Sequence, residues 1–190
     1  MNNPDIVKYN GNISKCDYEA IKEIYEESFP EKERTGSIDD LINSAKEDKR
    51  FELELFYADP DEKGTKQLVA FSYSLNEKDF FYGIFIAIKK EFRSKGYGKI
   101  FLNHHKEVRA INKHFFLCAE KVEDTAENKE QRIKRSAFFH KLGFKVVETD
   151  IDLNGVMFDL YSLKEVTPEE VDHYLDKIQE AILPDYYDQA

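Results

Sequence analysis

The sequence contains only two cysteines in 190 residues, Cys16 and Cys118. Small secreted domains held together by disulfides need several cysteine pairs, and the N-terminus lacks the charged, then apolar, then small-residue pattern of a signal peptide. No spacing of cysteine and histidine residues indicates a metal site. We therefore expect a protein of the reducing cytoplasm with no bound metal.

Positive charge is also in short supply. The chain has 28 lysine and arginine residues against 38 aspartate and glutamate residues, a formal net charge of -10. This balance disfavours non-specific binding of nucleic acid, whose phosphates attract basic surfaces. It favours a cationic partner such as an amine, although the same acidity serves solubility in many proteins.

Long apolar runs are missing as well. The apolar run from Phe80 to Ile88 is too short to cross a bilayer, and 35% of all residues are charged. The composition therefore predicts a globular protein that does not enter a membrane. At 190 residues the chain is long enough to bury a sizeable core in a single domain.

The most informative stretch of the chain runs from Phe80 to His105. It begins with the apolar run to Ile88, which is rich in aromatic and β-branched residues and predicts a central strand. A polar loop follows, and a helical pattern begins at Lys99. The order of these elements is strand, loop and helix.

Two glycines in this loop, Gly96 and Gly98, predict a sharp turn that lets the backbone approach a ligand closely. The helix behind them presents unpaired N–H groups and the positive end of its dipole. Arg93, Lys95 and Lys99 add positive charge beside the turn. A pyrophosphate is therefore the ligand that this turn predicts.

The spacing of the turn distinguishes it from two common phosphate-binding motifs. It does not read G-x-x-x-x-G-K-[ST], and Phe101 stands where the last glycine of G-x-G-x-x-G would fall. The order strand, Arg-x-x-Gly-x-Gly, helix instead resembles the GNAT superfamily of acetyl-CoA-dependent N-acetyltransferases. Arg93, Gly96 and Gly98 occupy the three defined positions of that family's motif, [Q/R]-x-x-G-x-[G/A].

A second segment, Arg132 to Phe144, resembles the downstream GNAT motif N-x-x-A-x-x-F-Y-x-K-x-G-F. The positions that match are Phe138, Lys141, Gly143 and Phe144. The positions that depart are Arg132, Arg135 and Phe139, which stand in place of Asn, Ala and Tyr. The last departure removes a phenol that could donate a proton.

The resemblance implies an α/β (α+β) fold in which helices flank a mixed, mostly antiparallel sheet. The strands Phe80 to Ile88 and His114 to Glu120 form a splayed central pair in this family, and the cleft between them admits the pantetheine arm. We expect residues 1–165 to form the GNAT-like domain and residues 166–190 to extend it with an extra helix. That helix packs either on the core or on a second copy of the chain, as in a homodimer.

Sequence periodicity and turn signals predict the remaining elements. The predicted helices are Tyr18–Ser28 capped by Asp17, Ile38–Glu47 with a Ser37/Asp40 capping box, Glu130–Leu142, and a last helix from Pro168 capped by Thr167. The helix after the glycine turn should place Ile100, Phe101, His104, Val108 and Ile111 on its apolar face. The other predicted strands are Phe51–Ala58, Gln67–Leu75, Phe144–Thr149 and Val156–Leu163, the last two joined at Asn154-Gly155.

The resemblance further implies transfer of an acetyl group from acetyl-CoA to a primary amine, by direct attack in a ternary complex. The amine belongs to a small molecule or to a peptide. The cofactor-binding positions that it implies are the backbone of Ile86, Ala87 and Ile88, the turn residues Arg93, Ser94, Lys95, Gly96, Tyr97, Gly98 and Lys99, and the basic residue Arg135.

The catalytic groups follow less directly from the motifs. Glu120, at the end of its strand, is the candidate base, and its alternative role is that of a strand-ending glutamate. Phe139 has no proton to give, so Tyr97, Tyr161 or water is the candidate donor to the leaving thiolate, which leaves without much help, and we select Tyr161. Two other functions remain open: a non-catalytic acyl-CoA-binding or sensing protein, and a scaffold that binds partners through its last helix.

Overall fold

The computed structural model describes residues 5–9, 11–58, 66–153 and 155–182. The chain divides into two compact units, Met1–Ile111 and Asn112–Ala190. The elements of the first are β1 (Asp5–Lys8), α1 (Lys15–Ser28), α2 (Ile38–Glu47), β2 (Phe51–Ala58), β3 (Gln67–Asn76), β4 (Phe80–Ile88) and α3 (Tyr97–His104). Those of the second are β5 (His114–Glu120), α4 (Lys129–Lys141), β6 (Lys145–Leu153), β7 (Val156–Ser162) and α5 (Pro168–Ile182).

The first unit is built on an antiparallel meander in the order β1, β2, β3, β4. On one face of this sheet, α1 and α2 bury their apolar stripes, including Ile21, Ile24 and Leu41. On the other face, α3 buries Phe101 against Phe56 of β2. Both faces are therefore covered, which explains why β3 is buried along almost its whole length.

The second unit pairs three antiparallel strands in the order β5, β7, β6. The last helix, α5, begins with the predicted capping box, in which Thr167 and Glu170 exchange hydrogen bonds of 2.8 and 3.3 Å. Its Tyr174 ring packs 5.1 Å from Phe116 of β5, and Val171 is also buried. This helix therefore buries its apolar face within its own unit.

Most of the predicted elements are confirmed, including the Ser37/Asp40 capping box of α2. The predicted cap of α1 was wrong. The helix begins at Lys15, and Ser14 accepts the hydrogen bond of the Asp17 N–H at 3.1 Å. Ser14 adds a turn to the helix, which places Asp17 in the first turn instead of before it.

The prediction for the helix after the glycine turn was wrong in two respects. It begins at Tyr97, and it passes at His105–Arg109 into a π-helical turn. The wider turn changes the helical register, so that Val108 and Ile111 are 51% and 57% exposed while His105 is fully buried.

The last hairpin also differs from its prediction. The strand β6 continues to Leu153, past register shifts on either side of Glu148 and a φ of 62° at Asp150. Gly155 has the positive φ of 78° that a tight hairpin turn requires, and Asn154 lies outside the described residues.

The fold class is confirmed: the protein is mixed α/β with a mostly antiparallel arrangement of strands flanked by helices. The splayed strand pair and the assignment of residues 1–165 and 166–190 stay predictions. Among the described residues, none of the helices combines the length and the apolar character that crossing a bilayer would demand.

Candidate functional site

The turn between β4 and α3 has the backbone that the glycine spacing predicts. A short 3-10 turn at Lys90–Phe92 leads into the loop, where Ser94 has a φ of 61° and Gly96 a φ of 89°. A Cβ added at Gly96 would meet nothing within 4 Å. Glycine is therefore favoured by its left-handed backbone and not by tight packing, and space is open beside it.

Gly96 is also the N-cap of α3, and it brings no side chain to cap the helix. In contrast, α1, α2 and α5 are capped by the hydroxyls of Ser14, Ser37 and Thr167. The first N–H groups of α3, at Tyr97 and Gly98, have no carbonyl four residues earlier within the helix. This helix end can therefore accept an external anion.

Two exposed lysines, Lys95 and Lys99, lie next to this helix end in the sequence. The ammonium of Lys95 lies 5.2 Å from the centre of the Phe92 ring. The Tyr97 ring stands at right angles to Phe92, at 5.8 Å. The turn thus exposes the ammonium groups of two lysines to solvent, and the rings of Phe92 and Tyr97 pack beside it.

Arg93 connects the turn to two neighbouring elements. Its Nε donates to the carbonyl of Ile88 at 2.9 Å, and its Nη2 donates to Ser28 Oγ at 3.0 Å. One guanidinium therefore ties the start of the turn to the end of β4 and to the end of α1. Its direct contact with a cofactor stays a prediction.

The end of β4 keeps its side chains in the core. Ala87 is buried, and Ile86 and Ile88 are half-buried against the cluster that contains Phe56 and Phe101. This arrangement leaves the backbone as the part of these residues that a ligand can use. Their contact with the cofactor stays a prediction.

One feature of β4 was missed by sequence reasoning. Ile84 has no partner in the register with β3, because Tyr73 pairs with Phe85 and Ser74 with Gly83. The extra residue is a β-bulge, a distortion that is common next to active sites. The neighbouring Gly83 was its only signal in the sequence.

Glu120 ends β5 in a dense set of contacts. Its Oε1 lies 2.9 Å from Arg132 Nη2 and accepts from Asn128 Nδ2 at 3.1 Å, while its Oε2 accepts from Arg135. Burial works to raise the pKa of this carboxyl, but the hydrogen bonds and the two guanidinium groups prevail and lower it. Both oxygens are thus occupied and the base is weak.

Arg132 also holds the connection that leads into α4. It donates to Asn128 Oδ1 and to the carbonyl of Lys121, each at 2.7 Å. These contacts weigh towards a structural role for Glu120, Arg132 and Arg135. The base role of Glu120 and the cofactor role of Arg135 stay predictions.

Tyr161 lies on β7 with 1% of its surface exposed. Its hydroxyl donates to Ser136 Oγ at 3.1 Å, and its ring meets the Phe139 ring edge-on at 5.2 Å. Burial raises the pKa of Tyr161 above its ordinary value, at which a phenol is already protonated at neutral pH. Phe139 is a packing partner of this tyrosine.

Sequence reasoning missed a buried charged cluster in the first unit. Glu54 of β2 is fully buried and accepts from Arg109 Nε at 2.7 Å. The imidazoles of His104 and His105 lie near the same carboxylate, at 3.6 and 3.3 Å. Burial works to raise the pKa of Glu54, but the histidines and Arg109 lower it to about 2. Burial lowers the pKa of His105 to about 4.

The chain resembles solved structures of acetyltransferases. A protein from Bacteroides thetaiotaomicron described as a GNAT-family acetyltransferase superposes with a TM-score of 0.70 at 19% identity, over 94% of this chain and 97% of that one. An aminoglycoside 6'-N-acetyltransferase complexed with coenzyme A gives a TM-score of 0.59 at 14% identity, over 86% of this chain and 99% of that one.

The ribosomal-protein-S18-alanine N-acetyltransferase of Escherichia coli gives a TM-score of 0.53 at 15% identity, over 86% of this chain and 97% of that one. From these superpositions, the 190-residue chain has the GNAT fold. The sequence itself matches no protein-family profile. It matches no curated protein either.

The GNAT fold gives the motif its structural context. The segment Arg93–Gly98 follows β4 and opens α3, the order in which the sequence motif predicts these elements. The basic and glycine residues of the turn belong to the first unit: Arg93, Lys95, Gly96, Gly98 and Lys99. Glu120 and Tyr161 belong to the second.

Proposed function

We propose that this protein is an N-acetyltransferase that moves the acetyl group of acetyl-CoA to a primary amine by direct attack in a ternary complex. The observation that carries the proposal is the turn of Arg93 to Gly98, which leaves the N-terminus of α3 without a side-chain cap. Within a GNAT fold, such a helix end beside two exposed lysines suits the pyrophosphate of coenzyme A. A structural neighbour complexed with coenzyme A supports this assignment.

The proposed cofactor contacts divide by chemistry. The N–H groups of Tyr97 and Gly98 bind phosphate oxygens, and Lys95 and Lys99 add charge. The backbone of Ile86, Ala87 and Ile88 holds the pantetheine arm, because the side chains of these residues are used in packing. Acetyl-CoA supplies the thioester, whose carbonyl carbon the amine attacks.

We propose Tyr161 as the acid that protonates the departing thiolate. Its phenol carries a proton at neutral pH, as tyrosine does at its ordinary pKa of about 10, and Ser136 accepts its hydrogen bond and so orients the hydroxyl. Thiols have a pKa of about 8.5, so this proton assists the reaction without being indispensable. Tyr161→Phe should therefore lower turnover by about tenfold, less than the roughly 10²–10⁴-fold that acid–base groups typically contribute.

The proposed acceptor is a primary amine of a small molecule or a peptide. A net charge of -10 favours cationic acceptors through long-range attraction. Two of the neighbours are named for their substrates, an aminoglycoside and an alanine of ribosomal protein S18. We also propose that the reaction takes place in the cytoplasm.

A second function has specific support: a non-catalytic protein that binds or senses acyl-CoA. Both oxygens of Glu120 are held by Arg132, Arg135 and Asn128, and Phe139 replaces the tyrosine of the family motif. A protein with this second function would bind acetyl-CoA without consuming it.

Amine-dependent release of free thiol separates the two functions. The wild-type protein is incubated with acetyl-CoA and a panel of polyamines, aminoglycosides, lysine derivatives and N-terminal peptides. An acetyltransferase releases coenzyme A only when its acceptor is present, at a rate that Tyr161→Phe reduces. Binding of acetyl-CoA with no release across the whole panel would favour the sensor.

A further inference from the structure

We propose that Glu54, His104 and His105 form a binding site for a divalent transition-metal ion, with Zn²⁺ as the natural occupant. The three side chains offer one carboxylate oxygen and two imidazole nitrogens, all within 4.8 Å of one another. This donor set is one that zinc uses in proteins. The proposal is independent of the acetyltransferase assignment.

The distances within the cluster suit a shared ion. His105 Nδ1 lies 3.3 Å from Glu54 Oε2, and His104 Nε2 lies 3.6 Å from Glu54 Oε1. Two donor atoms that bind one Zn²⁺ at about 2.0–2.1 Å with a tetrahedral angle lie about 3.3–3.4 Å apart. The separation of His105 Nδ1 from Glu54 Oε2 matches this value. The distance of His104 runs to the other carboxylate oxygen, and the three ligand atoms lie within 4.8 Å of one another, so a small rotation of the His104 ring would bring all three to one ion.

The hydrogen bonds of the cluster leave donor atoms for an ion. Among the described residues, neither Glu54 Oε2 nor His104 Nε2 has a hydrogen-bond partner, although both atoms are buried. A buried carboxylate oxygen without a hydrogen-bond partner carries an uncompensated desolvation cost. A bound cation would remove this cost.

The backbone brings the two histidines to the same carboxylate. Neighbouring residues of a regular α-helix point about 100° apart, which normally separates their side chains. Here α3 ends at His104 and the π-helical turn begins at His105. Such turns occur frequently at functional sites.

The surrounding charges orient the carboxylate and limit the affinity. Arg109 donates to Glu54 Oε1 at 2.7 Å and lies 3.5 Å from Glu52 Oε2, while Lys8 and Asn76 hold Glu52 Oε1. Arg109 can stay paired with both carboxylates while Glu54 Oε2 binds the ion. Groups that hydrogen-bond to metal ligands commonly orient the ligands in this way. Its positive charge should make the site weaker than a four-ligand structural zinc site.

The cluster lies close to the surface on one side. The side chain of His104 is 19% exposed although its Nε2 is buried, so movement of this ring would admit an ion and a water molecule that completes its coordination. The bound ion would link the end of α3 to β2. Because of this link, we expect the ion to stabilise α3, which also carries the candidate phosphate site at its other end.

The test is a titration of chelator-treated full-length protein with Zn²⁺ by calorimetry, repeated with Co²⁺ by absorption spectroscopy. We expect one ion per chain and the intense visible bands of a four-coordinate Co²⁺ site. His104→Asn, chosen because His104 is partly exposed, should lower the Zn²⁺ affinity at least tenfold. The control His173→Asn changes an exposed histidine on α5 and should have no effect.

A second control addresses the exposed thiol of Cys16, which could bind Zn²⁺ by itself. Cys16→Ser should bind the ion as the wild type does. The proposal is overturned if no saturable binding occurs, or if binding survives His104→Asn and disappears in Cys16→Ser. Circular dichroism of each variant shows that the fold is retained.

Discussion

Two buried glutamates, Glu54 and Glu120, keep their negative charge because hydrogen-bond donors and basic side chains face them, histidines and Arg109 for Glu54 and two arginines for Glu120. Burial would raise the pKa of either carboxyl, yet both values are lowered, that of Glu54 to about 2. Each carboxylate holds neighbouring segments together. For Glu120, these contacts favour its alternative role as an anchor for the connection to α4, and its role as the base stays a prediction.

The anchor role of Glu120 predicts a loss of stability in Glu120→Gln. The amide cannot balance the charges of Arg132 and Arg135, so we expect the free energy of unfolding to fall by about 3 kcal/mol. Urea unfolding measures this change. The control Glu123→Gln, in a more exposed ion pair with Arg132, should cost less than about 1 kcal/mol. Unchanged stability with a shifted pH–rate profile would instead make Glu120 the base.

His105 predicts acid sensitivity of the ion-free protein. Its pKa is lowered from 6.5 to about 4, so between these values the unfolded chain binds the extra proton and the folded chain does not. The contribution of His105 to the free energy of unfolding is therefore complete above pH 6.5, and it is lost progressively as the pH falls from 6.5 to about 4. The low pKa of Glu54 adds a loss in the same direction, between about 4.5 and 2.

The expected loss at pH 5 relative to pH 7 is on the order of 2 kcal/mol from His105. Urea unfolding at both pH values, in the presence of chelator, measures it. His105→Asn should remove this part of the pH dependence, and the exposed control His173→Asn should keep it. Equal pH dependence in His105→Asn and the wild type would contradict the assignment.

Sequence reasoning found Arg93 and Gly96 but not Glu54, and the reason is physical. In the run Phe51 to Phe56, glutamates alternate with apolar residues, a pattern that is typical of a strand with one face in water. In this protein α3 and its π-helical turn cover that face. Burial of a charged residue depends on a distant partner such as Arg109, which the local pattern does not contain.

At the scale of elements, α3 is positioned by the turn that precedes it. Arg93 ties this turn to Ile88 at the end of β4 and to Ser28 at the end of α1. A guanidinium is suited to this role because its donors are fixed in one plane, whereas the ammonium of lysine is a compact charge on a flexible stem.

The bracing role of Arg93 predicts that charge alone will not replace it. Arg93→Ala and Arg93→Lys should weaken acetyl-CoA binding to a similar extent, about fivefold to tenfold, because both lose the two directed hydrogen bonds. Calorimetric titration measures the affinities. The exposed Lys95→Ala serves as the comparison for charge alone. Wild-type affinity in Arg93→Lys would show that charge is what matters at this position.

Element boundaries followed local signals where these were strong. The capping boxes of α2 and α5 fixed the starts of both helices, because side chain and backbone satisfy each other within four residues. The strand β1 has only four residues and forms by pairing with β2, so its own sequence does not specify it. The π-helical turn after α3 depends on contacts of His105 that periodicity cannot show.

At the scale of the whole molecule, the fold class followed from the order of elements and from two motifs. The division after Ile111 did not, since nothing in the composition changes there.

The net charge of -10 makes a prediction at this scale. For polycationic acceptors, KM should rise with salt concentration, because screening weakens the attraction. An acceptor amine without other charges should show little change, and equal salt dependence would remove charge as a factor.

The most direct test of the central claim is calorimetric titration of acetyl-CoA into the wild type and two glycine variants. Gly96→Val and Gly155→Val place a β-branched residue at a positive φ, and in both positions a Cβ meets nothing within 4 Å. Both variants should therefore lose similar stability from backbone strain. We predict that only Gly96→Val loses acetyl-CoA affinity, by at least tenfold. Equal affinity in the two variants, or no binding by the wild type, would contradict the proposed cofactor site.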